Sequence, residues 1–171
     1  MNMPSYDDLN IDYKGGDLLI NMQSLNSLAG LPEHITGNLL CIGNQLTSLV
    51  GGPQKVDGSY DISHNYELTS LIGCASHIGN RLDLENNPIT SLIGIHKIIK
   101  SCRAIDFNND KISEGGIGLL LIERLTYITY SSNLGDDPFE IIKSYLGSGT
   151  KGMMDCRAEL IEKGYENYAK L

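Results

Sequence analysis

The chain has 171 residues, 41% of them apolar and 20% charged, so it can bury a core of one domain and is not expected to be disordered. Its 21 acidic and 13 basic residues give a formal charge of −8. This balance argues against a nucleic-acid backbone as the partner, because phosphate binding needs clustered Lys and Arg. It suits a protein partner with a basic surface, or serves solubility alone.

The N-terminal segment "MNMPSYDDLNIDY" has neither a positive region nor an apolar run, so we expect no signal peptide. No stretch approaches the roughly 18 apolar residues that indicate a membrane span. The cysteines are scattered without a CxxC pair, which favours the reducing cytoplasm and a role as small buried hydrophobes. They are Cys41, Cys74, Cys102 and Cys156.

One phrase returns along the sequence: "GNQLTSL" at 43–49, "HNYELTSL" at 64–71 and "NNPITSL" at 86–92. In the second of these Glu67 is a one-residue insertion. The polar residue that anchors the phrase recurs every 21 to 23 residues, at Gln23, Asn44, Asn65, Asn87, Asp110 and Asn133. A fixed period of this length predicts a solenoid, in which each coil buries its apolar face against its neighbours.

Apolar residues two apart precede each anchor and predict short strands with one buried face. These are Leu18 and Ile20, Leu39 and Cys41, Tyr60 and Ile62, Leu82 and Leu84, Ile105 and Phe107, and Ile128 and Tyr130. A second apolar slot recurs at Ile35, Val56 and Ile78. We expect each Asn side chain to bond backbone groups where the chain leaves the strand, and glycines to relieve the other corners.

Strings such as "LDLENNPITSL" and "LLCIGNQLTSL" resemble the LxLxxNxL core of the leucine-rich repeat. The resemblance covers about residues 17–134, and the "LTSLxG" variant is similar to the short repeats of bacterial and bacteriophage proteins. It implies an α/β solenoid of about six repeats, with short parallel strands on a concave sheet and an irregular convex side. Gln23 and Asp110 depart from the Asn site, so we expect modified turns in the terminal coils.

The last third of the sequence has a different character. "GGIGLLLIERL" (115–125) predicts a helix on the convex side, and "DDPFEIIKSYL" (136–146) predicts a helix opened by Pro138. "MMDCRAELIEKGYENYAKL" (153–171) predicts a helix to about Lys163, broken at Gly164. We expect these helices to cover the last coil with Ile141, Ile142, Tyr145, Leu146, Met154, Leu160 and Ile161.

One folding unit is therefore predicted, with an N-terminal cap at 1–16, the repeats at 17–134 and a C-terminal helical cap at 135–171. This C-terminal third is also similar to the ending of small leucine-rich repeat proteins of tailed bacteriophages.

In a leucine-rich repeat, the strand residues that alternate with the buried ones face the partner. The resemblance places these in a central outward row: Leu19, Leu40, Asp61, Asp83, Asp106 and Thr129. On neighbouring strands about 4.8 Å apart, the three carboxylates would form a ladder. With their flanking positions they predict an apolar patch beside an acidic track. The predicted partner-binding residues are Leu19, Leu40, Ile42, Asp61, Arg81, Asp83, Glu85, Asp106, Asn108 and Tyr127. A solvated face with tolerated carboxylates is the alternative.

We expect no metal, cofactor or catalytic site. Calcium prefers flexible oxygen-rich loops over carboxylates on rigid strands. His34 and His77 occupy the same slot two coils apart, about 10 Å, which is too far to share a metal. Cys156 lacks the Cys-x-Asp pattern of bacterial leucine-rich repeat ubiquitin ligases, so we predict a buried thiol. Neither a nucleophile with its base nor a GxxxxGK loop is recognisable.

These features predict a non-enzymatic interaction module. If the bacteriophage resemblance holds, it acts in the host cytoplasm as an adaptor or inhibitor of a host protein, for example one of antiphage defence such as a toxin–antitoxin system. Two alternatives remain open: an acidic mimic of nucleic acid, and a structural or virion component. The oligomeric state is open as well.

Overall fold

The computed structural model describes residues 4–108, 110–131 and 137–171, through which the polypeptide winds as a parallel β-solenoid of about five turns. Its strands are short because each coil turns a corner after a few extended residues. In sequence order they are β1 (Leu18–Leu19), β2 (His34–Ile35), β3 (Leu39–Leu40), β4 (Lys55–Val56), β5 (Tyr60–Asp61), β6 (His77–Ile78), β7 (Arg81–Asp83), β8 (Ala104–Asn108) and β9 (Tyr127–Ser131).

The larger sheet has six parallel strands in the order β1-β3-β5-β7-β8-β9, one from each successive coil. Backbone bonds join the coils, for example from Cys41 N to Asp61 O at 2.8 Å and from Leu84 N to Asp106 O at 2.8 Å. The predicted inward residues are buried, except that Tyr130 is half-buried against the core. The buried ones are Leu18, Ile20, Leu39, Cys41, Tyr60, Ile62, Leu82, Leu84, Ile105, Phe107 and Ile128. The shared apolar spine is thus confirmed.

A second sheet, with the order β2-β4-β6, runs along another side of the coils. Ile35, Val56 and Ile78 point inward from it and are buried, which explains the second recurring slot in the sequence. The slot was recognisable in the sequence but no strand was predicted there, because a single apolar position per coil gives no alternation to read. His34 and His77 lie on either side of Lys55 in this sheet, as their spacing predicts, and both are exposed.

The asparagine of each inner coil joins two coils through its side chain. Asn65 donates from Nδ2 to Ile62 O of its own coil at 2.9 Å and to Cys41 O of the preceding coil at 3.1 Å. Its Oδ1 accepts from Leu46 N at 3.2 Å. Asn44 and Asn87 are also buried, and each donates to a carbonyl of the preceding coil, Ile20 O and Ile62 O, and accepts from a backbone N–H of that coil. The predicted turn role of these side chains is confirmed.

The terminal anchors differ from the inner ones. Gln23 is exposed and donates from Nε2 to Asn21 O of its own coil at 3.0 Å, and Asp110 is exposed as well. The sixth predicted anchor, Asn133, lies outside the described residues.

Glycine is required where one coil passes over the backbone of the coil before it. Gly73 has φ +88°, and a Cβ there would lie 2.4 Å from Val50 N. Gly115 has φ +81°, and its Cβ would lie 2.4 Å from Ile93 N. A side chain at either position would combine a strained backbone with a steric clash, so the coils can close only around glycine.

Short helical segments lie within the last coils, and two α-helices follow them. The predicted helix at 115–125 is only a 3₁₀ turn, Ile117–Leu121, because Gly115 and Gly116 have positive φ and Ile122 is extended. The α-helices are α1 (Ile95–Ile98), α2 (Pro138–Ser144) and α3 (Gly149–Glu162). Asp137 caps α2, accepting from Phe139 N at 2.8 Å, and α3 begins four residues earlier than predicted.

The apolar residues of α2 and α3 divide into two groups. Ile141, Ile142 and Leu160 are buried, and Tyr145 and Leu146 pack against the core, as predicted. The predicted burial of Met154 and Ile161 is wrong, since these side chains are 67% and 46% exposed. The buried stripe of α3 runs through Gly152, Cys156 and Leu160 at a spacing of four, and the other two residues lie off it.

Phe139 of α2 joins the helices to the last strands. Its ring lies 4.9 Å from that of Phe107, 5.6 Å from that of Tyr130 and 5.6 Å from that of Tyr168. The Tyr168 hydroxyl also donates to Ile112 O at 2.8 Å. The segment that follows the coils is therefore packed onto the same core.

Replacing Asn65 with alanine should lower the free energy of unfolding by about 2–4 kcal/mol, since several buried backbone groups would lose their partners. Gln23→Ala is the matched control at the same repeat position and should cost less than about 0.5 kcal/mol. Urea unfolding followed by circular dichroism measures both. Equal losses for the two variants would contradict the role assigned to the buried asparagines.

Candidate functional site

The outward face of the six-stranded sheet, here called the sheet face, carries the central row that the sequence predicts. The register pairs Leu19 with Leu40, and continues through Asp61, Asp83, Asp106 and Thr129 in order. These residues alternate with the buried ones along each strand. The predicted row is therefore present in the predicted order.

The first coils give the sheet face an apolar patch, made of Leu19, Leu40 and Ile42. Leu19 is 62% exposed, whereas the other two are half-buried. Asn21 holds the backbone beside them by accepting from Ile42 N at 2.9 Å.

The next coils give the sheet face two carboxylates, each of which accepts a hydrogen bond from the backbone N–H two residues further along the chain. Asp61 Oδ1 accepts from Ser63 N at 3.0 Å and from Ser63 Oγ at 2.7 Å. Asp83 Oδ1 accepts from Glu85 N at 2.9 Å. Within the described ranges, Asp61, Asp83 and Glu85 form no ion pair with a basic side chain, and all three are half-buried.

Asp106 differs from its neighbours. We predicted it as an accessible member of the acidic track, but it is only 2% exposed. Arg81 donates from Nη1 to Asp106 Oδ2 at 2.5 Å, and its side chain remains 49% exposed. Asp106 lies on β8, between β7 and the edge strand β9. Its accessibility was wrongly predicted, because sequence spacing gives the face of a residue but not what covers it.

Burial and neighbouring acids change the ionisation of Asp83. Burial, together with the negative charges of Asp61, Glu85 and Asp106, raises the pKa of its carboxyl to about 6, and the hydrogen bond from Glu85 N acts in the opposite direction. Like charges on strands about 4.8 Å apart repel by on the order of 1 kcal/mol per pair even in high dielectric. The sheet face therefore holds negative charge at an energetic cost.

The flanking residues complete the sheet face. Tyr127 is 52% exposed and shares a register row with Ala104 and Arg81. Asn108 is half-buried and its Oδ1 accepts from Asn86 N. The ten predicted residues thus lie on one face, although only some of them are open to solvent.

A second exposed row, which was not predicted from the sequence, is formed by Val50, Ile72 and Ile93. They are 60%, 64% and 42% exposed and follow the buried Leu of the repeated phrase. The signal was present as "LVG", "LIG" and "LIG" in the same slot. This row lies outside the strands of the sheet face.

The thiols are buried, as predicted for all four cysteines. Burial raises the pKa of Cys41 and Cys74 to about 12 and that of Cys102 and Cys156 to about 11. A nucleophilic cysteine needs the opposite change. Among the described residues there is neither a group of three or more His, Cys, Asp or Glu that could hold a metal ion nor a helix long and apolar enough to cross a membrane.

Asp83→Asn removes a charge that burial and neighbouring acids disfavour, so it should raise the free energy of unfolding at pH 7. We expect a gain of about 1 kcal/mol, because solvent screens a half-buried group. The pKa of Asp83 is raised above its ordinary value of 3.8. The stabilisation that the protonated Asp83 carboxyl gives to the fold is therefore largest below about pH 4, and it is lost as the pH rises through about 6. Urea unfolding at about pH 4 and pH 7 measures the difference. A gain of equal size at both values would refute this electrostatic cause.

Arg81→Met should destabilise the fold by about 2 kcal/mol, because it leaves the buried Asp106 carboxylate without its cation. Adding Asp106→Asn should restore at least about 1 kcal/mol relative to the sum of the single losses. The cycle is measured by urea unfolding at neutral pH. Strictly additive losses would mean that the two side chains do not stabilise each other.

No family model matches this protein, and no curated protein or solved structure shows significant similarity to it.

Proposed function

We propose that this protein is a non-enzymatic leucine-rich repeat module that binds another protein through the sheet face, which forms the concave side of the solenoid. The observation that carries the proposal is the group of half-buried carboxylates Asp61, Asp83 and Glu85, which form no ion pair within the described part of the protein, next to a partly exposed apolar patch. Charge of one sign beside an apolar foothold is typical of a protein interface, where complementary potentials steer association and fix orientation. The preferred partner has a basic surface.

The leucine-rich repeat assignment is supported by the buried asparagines at the LxLxxN position, which join each coil to the one before. We also propose the predicted boundaries, with caps at 1–16 and 135–171 around repeats at 17–134. Tyr6 near the N-terminus is buried in the core, and Phe139 of α2 packs on the last strands, as caps would.

The bacteriophage resemblance extends the proposal to the biological setting. A small acidic protein of that type would act in the host cytoplasm by binding, and in that way inhibiting, a host protein such as a component of antiphage defence. This part rests on the resemblance of the repeats and the C-terminal third alone.

The test compares two neutralised variants of the full-length protein. Asp61→Asn, Asp83→Asn and Glu85→Gln together remove three charges from the sheet face while keeping hydrogen-bond acceptors. Glu123→Gln, Glu162→Gln and Glu166→Gln remove three exposed charges elsewhere and serve as the control. Asp106 is left unchanged because it pairs with Arg81 inside the sheet face.

Proteins captured from lysates of the native cell are identified by mass spectrometry, and their affinities are then measured. We expect an affinity weaker by about tenfold or more for the sheet-face variant and little change for the control, with the difference shrinking at high salt. Partners that bind both variants equally would refute the proposed surface.

The same captured complex separates the alternatives. A nucleic-acid mimic predicts that duplex DNA displaces the protein from its partner, with a steep dependence on salt. A structural component predicts self-association of the isolated protein in sedimentation. Either result in place of partner binding through the sheet face would replace the proposal.

A further inference from the structure

Arg81 is a cation that already pairs with a carboxylate of the sheet face. Its side chain leaves the flank of β7 and crosses to β8, where Nη1 donates to Asp106 Oδ2. The guanidinium stays half-exposed while the carboxylate beneath it is buried. A guanidinium can therefore lie along this row and pair with the central residue of the next strand.

One oxygen of the same carboxylate has no donor. Asp106 Oδ1 is buried, and no hydrogen bond reaches it from the described part of the protein. Asp83 lies directly opposite in the register, and its Oδ1 is occupied by Glu85 N. No hydrogen bond among the described residues reaches its Oδ2. A buried carboxylate oxygen without a donor is unfavourable, and a second carboxylate beside it adds repulsion.

Building on the function proposed above, we infer that Asp83 and Asp106 together form the seat for one arginine side chain of the protein partner. Asp83 is the half-buried carboxylate of this seat, and Asp106 Oδ1 is its buried oxygen, which has no donor among the described residues. A planar guanidinium has five donors and can serve two carboxylates at once, whereas a lysine ammonium is a compact, strongly hydrated point charge. The surroundings stay negative when Arg81 is paired, because this one cation faces four acidic side chains: Asp61, Asp83, Glu85 and Asp106.

The register also supplies an internal mimic of such a ligand. Because Tyr60 pairs with Leu82, Ser59 falls at the position equivalent to Arg81. Arg81 reaches the central residue of the following strand, so an arginine at position 59 would reach Asp83 in the same way. Ser59→Arg should therefore fill the seat from within, and Ser59→Gln is its neutral control.

The seat is tested with N-acetyl-arginine amide as the probe, titrated into the full-length protein with carbon-13-labelled carboxyl groups. We expect saturable shifts of the Asp83 and Asp106 carboxyl signals with a Kd on the order of 10 mM, as befits a single side-chain contact. The pKa of Asp83 should fall from about 6 by at least half a unit. Ser59→Arg should weaken probe binding by about tenfold or more, whereas Ser59→Gln should leave it unchanged.

The neutral isostere N-acetyl-citrulline amide and the lysine analogue are the control ligands. Shifts of similar size with citrulline, equal or tighter binding of lysine, or a response confined to other carboxyls would overturn the inference. If the probe does not bind but the sheet-face variant still loses its captured partner, the seat is wrong and the proposed function stands. If the probe binds but capture ignores the sheet face, the proposed function is wrong and the seat stands.

Discussion

A buried asparagine holds two coils of this solenoid together, and the rest of the architecture depends on that bond. Asn65 bonds backbone groups of its own coil and of the coil before it, which fixes the distance and register between them. Because the register is fixed, equivalent positions of successive coils lie next to one another. The inward positions form an apolar row in the core, and the positions between them form a row on the outward face of the sheet. A coil alone could bury neither its asparagine nor its leucines, and it is the stack that makes both possible.

The same stacking creates the electrostatic problem on the sheet face. Asp61, Asp83 and Asp106 occupy successive strands, so their charges cannot move apart as they would on a flexible loop. The molecule neutralises one of them with Arg81 and leaves the others half-buried, with a raised pKa at Asp83. Rigid strands hold charge in a fixed arrangement that a basic partner can match without ordering cost, which is the physical basis of the proposed function.

The sequence predicted the rows of the larger sheet because period and alternation survive in every coil: Leu82 and Leu84 are buried and Asp83 lies between them on the opposite face. It could not predict the cover over Asp106, since that depends on the reach of Arg81 from a neighbouring strand. The second sheet was missed because only one apolar position recurs there in each coil, at Ile35, Val56 and Ile78, which leaves no alternation to read. In α3, which begins four residues earlier than predicted, the buried stripe runs through Gly152, Cys156 and Leu160, and Met154 is not part of it. Spacing specifies faces, whereas burial is decided by neighbours distant in sequence.

Residue-resolved amide hydrogen exchange of the free protein tests the central claim that all coils share one cooperative core. The amides that bond from one coil to the next, those of Ile20, Cys41, Ile62 and Leu84, should exchange slowest and at one common free energy, equal to that of global unfolding. Separate exchange energies for separate coils would contradict the shared core, and with it the fixed row of carboxylates that the core positions.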